Sequence, residues 1–191
     1  MQSDDTRNQL IHATKELLLT VQNPEKITAR QIASKANVNL AMINYCFGSK
    51  DELVKKSIDE IIACEFEQFS FDGKDNLTPK EKLKMLLYHV SEVTIRYNSI
   101  TRLSVPYTLL NAPIEIPYGI LPYIKAHFQK RKDEQFCKMI AYEIVAFMQI
   151  AFYRTKDFCL YSGINLQKQT ELKQFIDSQL DLMLGDETDE K

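Results

Sequence analysis

Glycine and proline are scarce in this chain, at 5 and 6 of 191 residues. All-β folds and disordered segments draw heavily on both, so the scarcity argues against either class. Cysteine and histidine are few and scattered. Cys46, Cys64, Cys137 and Cys159 form no CxxC pair, and His12, His89 and His127 stand far apart. Zinc-site spacing is absent, and no metal is expected. The thiols read as small apolar filler in a reducing compartment. No signal peptide precedes the first polar helix, and no run of 18 apolar residues occurs, so a cytoplasmic protein without a membrane partner is expected. Enzyme motifs are missing too: no P-loop, GxGxxG, GxSxG or HExxH, and no Glu-x-x-His pair of a di-iron bundle. No catalytic residue and no cofactor are assigned. An enzyme built from distant residues stays open as an alternative.

What is present is a chain that is 45% hydrophobic, enough for a real core. Its length fits one domain or a small module with a larger one. Net charge is −2 overall but uneven. Residues 1–55 hold 7 Lys/Arg against 6 Asp/Glu, and residues 56–185 hold 16 of each. The tail DETDEK (186–191) is acidic and reads as a frayed, solvated end. A local basic surface matters more for a nucleic-acid partner than this total does.

Hydrophobic periodicity predicts about nine helices and no strand. Residues 7–21 place Leu10, Ala13, Leu17, Leu18 and Val21 at helical spacing, and Asn23-Pro24 breaks the run. Thr28 precedes a short helix to residue 36, with Gln31 three positions on as in a capping box. Ile32, Ala33 and Ala36 form its inner side. After an Asn37-Val38-Asn39 link, residues 39–47 form another helix, with Ile43 and Phe47 inward and Gly48 at its end. Ser49 caps a fourth helix, with Asp51 and Glu52 in its first turn, running to about Phe71. DGKDNLTP (72–79) is a linker. Thr78-Pro79 starts a helix carrying Leu83, Leu87, Val90 and Val93. Further helices are expected at 100–111, disturbed by Pro106, and at 118–128, 133–158 and 167–184.

The helices at 28–36 and 39–47 and the tight turn between them form a helix-turn-helix pattern. Its apolar set faces the first helix and Leu53. Asn39, Leu40, Met42, Asn44 and Tyr45 are left on the outer side. A major groove admits one such helix, Asn bonds base edges, and Met or Leu packs on a thymine methyl. Tyr45 and Lys50 suit phosphate contact, and Thr28 and Arg30 open the preceding helix. Spacing alone leaves a second reading open: a helical adaptor that uses the same elements to bind protein.

The residues narrow this. Ala13 with Leu17-Leu18, then Thr28-Ile32-Ala33, Ala36-Asn37-Val38-Asn39, Phe47 and Ser49-Lys50-Leu53 occupy the slots of a known pattern. Over residues 8–55 the chain closely resembles the N-terminal domain of the tetracycline-repressor (TetR) family of transcriptional regulators. Asn37 stands where that pattern has Gly, and Asn tolerates a left-handed backbone. Asn44 and Cys46 replace the usual Tyr and His. The resemblance implies a three-helix DNA-binding domain at 1–49, a connecting helix at 50–71 and a helical ligand-binding and dimerisation domain at 72–185. It also implies a homodimer that binds double-stranded DNA at a pseudo-palindromic operator and, as a repressor, is released by a small molecule.

The second half fits that layout. Between Met139 and Tyr153 only Glu143 and Gln149 are clearly polar. A helix so apolar must be covered on most sides. It is either a central core helix or half of a four-helix interface between two chains. The dimer reading selects Tyr142, Val145, Gln149 and Phe152, with Phe175, Gln179 and Met183 from the last helix. Tyr and Phe are frequent from 61 to 153, including Phe66, Phe69, Tyr118, Tyr123 and Phe128. Aromatics with polar tips line small-molecule sites as well as cores. Tyr88, His89, Arg96, Tyr97 and Tyr107 are the residues selected for a ligand pocket.

Overall fold

The structure is a computed structural model and describes residues 2–66, 69–71 and 76–185, apart from the side chains of 2, 3 and 66. The expected acidic tail, residues 72–75 of the expected linker and the Phe66 side chain lie outside the described residues. The chain is all-α. Ten α-helices and two 3-10 turns are formed among the described residues, and no strand. The helices are α1 (Gln2–Thr20), α2 (Ala29–Lys35), α3 (Ala41–Phe47), α4 (Lys50–Phe66) and α5 (Pro79–Arg96). After them come α6 (Asn98–Leu110), α7 (Leu121–Phe128), α8 (Glu134–Tyr153), α9 (Thr155–Ser162) and α10 (Gln169–Leu184).

Local chemistry explains most of the boundaries. Thr28 and Gln31 form the expected capping box: the Gln31 N–H donates to Thr28 Oγ1, and the Thr28 N–H donates to Gln31 Oε1. Thr78 and Glu81 do the same at the start of α5. Ser49 Oγ accepts from the Glu52 N–H at the head of α4. Asn37 turns the chain out of α2 with φ of +54°, in the left-handed region. Gly48 ends α3 at φ +74°, and a Cβ there would stand 3.3 Å from the Glu52 carboxylate.

Two expectations change. The predicted helix at 133–158 is two helices, because the backbone breaks at Arg154 (φ −104°, ψ 34°). Thr155 donates its hydroxyl to the Phe152 carbonyl there, and Arg154 pairs with Asp157 at 3.0 Å. The predicted domain boundary at 71/72 also shifts. The chain forms two compact units, the first made of 1–68 with 97–112, the second of 69–96 with 113–191. Helix α6 thus belongs with α1–α4. Ile100 is buried in the core of that unit, and Tyr97 and Leu103 pack on it.

The first unit has a core of Leu10, Leu18, Ile32, Ile43, Phe47, Leu53 and Ile58 with Ile100. The second surrounds Leu83, Leu87, Ile124, Ile144, Leu172 and Ile176. Helix α8 is long and apolar enough to cross a membrane by length and composition. Its Cys137, Ile140, Ala141, Ile144, Met148 and Ala151 lie in the second unit's core, as in the central helix of a bundle.

Candidate nucleic-acid interface

The α3 sequence AMINYCF divides cleanly by period. Ile43 and Phe47 are buried, with Met42 and Cys46 half-buried beside them. Ala41, Asn44, Tyr45 and Gly48, at i, i+3, i+4 and i+7, form the exposed stripe. Leu40, just ahead of the helix, is also exposed. Tyr45 is 74% exposed and Leu40 43%, high values for large side chains. The sequence expectation placed Met42 on this outer side. The structure instead leans it against the core, because position 42 follows the buried 43 and 47 around the helix. Ala41 is the outer residue that sequence reasoning missed.

The polar groups here differ in how committed they are. Asn39 Oδ1 accepts the Ala41 N–H at 2.8 Å and so holds the turn. The Thr28 hydroxyl donates to Gln31 Oε1 and accepts the Gln31 N–H, so the cap engages it. Lys50 Nζ donates to the Ile27 carbonyl at 3.4 Å and lies 3.6 Å from Asp51. By contrast, the Asn44 carboxamide, the Tyr45 hydroxyl and the Arg30 guanidinium have no partner among the described residues. These three exposed groups are free to meet another molecule.

Behind α3 stands a residue with no signal in the spacing. Arg7 of α1 lays its guanidinium over the Phe47 ring, 4.2 Å from the centroid, and donates to the Cys46 carbonyl. This contact clamps the C-terminal turn of α3 to α1. Only the three-dimensional return of the chain brings position 7 beneath 46 and 47.

The residues selected for a ligand pocket divide between the two units. Tyr97 and Tyr107 belong to the first unit. Tyr97 donates to Glu65 at 2.7 Å. The Tyr107 hydroxyl is pushed above its ordinary pKa by desolvation and then by the Glu52 carboxylate. Tyr88, His89 and Arg96 lie in the second unit, with Arg96 exposed at the end of α5. His89 stacks on Phe69 at 4.8 Å. Tyr88 lies under the Lys173 ammonium, and its buried hydroxyl has no hydrogen-bond partner among the described residues.

The second unit has a groove of about 380 Å³ elsewhere, lined by Ile114, Pro117, Tyr118, Leu121 and the α8 residues Lys138, Met139 and Tyr142. Of the expected interface residues, Tyr142 is exposed and Gln149, Gln179 and Met183 are half-buried. Val145, Phe152 and Phe175 are a correction. They are buried in the unit's own core: Val145 and Phe152 flank the α8 face that turns 140, 144, 148 and 151 inward, and Phe175 of α10 packs on Phe147 and Phe158. The exposed large apolar residues of α8 are Met139, Tyr142, Phe147 and Ile150. Among the described residues, no group of three His, Cys, Asp or Glu side chains is arranged to hold a metal ion.

No protein-family model matches the chain, and no curated protein matches it.

Proposed function

We propose that this chain is a dimeric, DNA-binding transcriptional regulator of the TetR type, acting in the cytoplasm as a repressor without catalytic activity. One observation carries the reading: the exposed stripe of α3. It presents Asn44 and Tyr45 with free polar ends, on a short helix whose other side is fixed by a core and by Arg7. A rigid helix with a few unengaged polar groups is what insertion into a major groove requires. Arg30, exposed and without an ion-pair partner among the described residues, supplies a phosphate contact, and Tyr45 a second. Lys50 contributes less than its position implies, because Asp51 offsets its charge.

One short helix gives little affinity, so the active form is a homodimer. The outward Met139, Tyr142 and Ile150 of α8 support a second copy as the cover of that face. Two α3 helices would then address half-sites roughly 34–36 Å apart. The buried Tyr88 hydroxyl, without a hydrogen-bond partner among the described residues, supports a small-molecule site in the second unit, since a bound polar group would supply that bond. That ligand acts by binding the DNA-incompetent arrangement better.

The test is selection of random duplex DNA by the purified protein, with its mass in solution measured alongside. An enriched inverted repeat bound by a dimer is the expected result. Absence of enrichment at low salt, from protein freed of co-purified small molecules, overturns the reading in favour of protein contacts.

A further inference from the structure

The exposed stripe of α3 has no charge. Leu40, Ala41, Asn44 and Tyr45 are its outward residues, and neither Lys nor Arg occurs between 36 and 49. In the major groove guanine offers two acceptors, N7 and O6, and is met by two donors, most often from Arg or Lys. No outward side chain of the stripe offers two donor atoms side by side: Tyr45 has one hydroxyl and Asn44 one amide nitrogen. Adenine offers an acceptor and a donor side by side, N7 and N6–H2. The free carboxamide of Asn44 carries one donor group and one acceptor, which match that edge. Set against guanine, its oxygen would face an acceptor. Leu40 and Ala41 add exposed apolar surface next to it, which suits the C5-methyl of thymine.

Resting on the regulator reading above, we propose that α3 selects an A·T step within each half-site. Asn44 takes the adenine edge, and Ala41 with Leu40 packs on a thymine methyl. The operator class is therefore duplex DNA with an A·T step in each half-site, and Asn44 is the residue that determines the choice. The basic residues nearby, Arg30 foremost, hold the backbone and do not read bases.

The experiment uses the full chain and the duplex it selects. Selection is repeated with Asn44→Ala, and the position whose base preference relaxes is the one Asn44 reads. At that position, with the wild-type protein, A·T is exchanged for G·C, and neighbouring thymines are replaced by deoxyuracil, which lacks the methyl. The G·C exchange is expected to weaken binding about tenfold or more, within the range of one bidentate contact. Loss of the methyl is expected to weaken it roughly threefold. Asn44→Arg should move the preference toward G·C. The proposal is overturned if the position relaxed by Asn44→Ala is G·C, or if no position relaxes and affinity falls uniformly. Failure to select any duplex is a different result and overturns the regulator reading itself.

Discussion

Among the described residues, ten large apolar side chains stand exposed in the second unit and four in the first. In the second, seven lie along 114–118 and the outer side of α8, and Leu160, Tyr161 and Leu182 stand on α9 and α10. In the first they are Leu19, Leu40, Tyr45 and Leu110, of which Tyr45 lies on α3 and Leu40 just ahead of it. The first unit has closed its core and left polar ends on show. The second has closed a core and still carries a surface that water covers poorly. The pair teaches that one chain can present two kinds of unfinished surface. One is made for hydrogen bonds, and the other for apolar contact.

The largest expected effects test whether each unit has its own core. Leu53→Ala in the first unit and Ile144→Ala in the second remove fully buried side chains. Each should cost about 2–5 kcal/mol in thermal or denaturant unfolding. Hydrogen exchange should locate the loss in the mutated unit. Equal loss of protection across both units would erase the distinction between them.

Next in size is the apolar face. Met139→Lys and Ile150→Lys alter exposed residues and should leave the helical content intact. On the proposed reading they weaken self-association at least tenfold, about 1.4 kcal/mol, as followed by mass in solution. An unchanged mass at every concentration would remove this face from the dimer.

Arg7→Ala tests the support behind α3. It removes a cation–π contact and a hydrogen bond and should cost the first unit about 1–2 kcal/mol. Arg7→Lys should recover only part, because an ammonium lacks the planar fork. Full recovery by Lys would mean that charge alone matters there.

The smallest effect concerns acid. In the second unit the Glu171 carboxyl is held below the usual carboxylate value by the Asn165 N–H and then by Lys168. Glu134 is lowered by hydrogen bonds from Lys138 and then Lys125. A carboxyl lowered in the folded state stabilises fully above its ordinary pKa. That contribution is lost as pH falls through the lowered value. Glu171→Gln should therefore flatten the acid limb of the second unit's stability and leave the first unit unchanged. A steeper limb would reverse the assignment.

How much of this was legible beforehand depended on the range of the interaction. Thr28 with Gln31, Ser49 with Asp51 and Glu52, and Asn37 in its turn act within four residues, and the sequence displays them directly. The inner and outer sides of α3 follow from a clear period, and only Met42 and Ala41 exchange places. Helix α8 defeats that method. When nearly every position is apolar, periodicity cannot separate the face toward the core from the face toward a partner, and Val145 and Phe152 lie on the core side. The break at Arg154 has no glycine or proline to announce it. Arg7 beneath Phe47 and Ile100 in the first core depend on the path of the chain, which local pattern does not encode.

The membership of α6 in the first unit has a consequence for modularity. A protein engineer, or a recombination event, that cuts this chain near residue 68 transplants α1 to α4 without the helix that brings Ile100 into their core. The recipient must then offer a stand-in at the same place, or the graft begins its life with a hole. Exchange of the first unit between proteins of this architecture is thus restricted to donors and hosts whose sixth helices are already interchangeable.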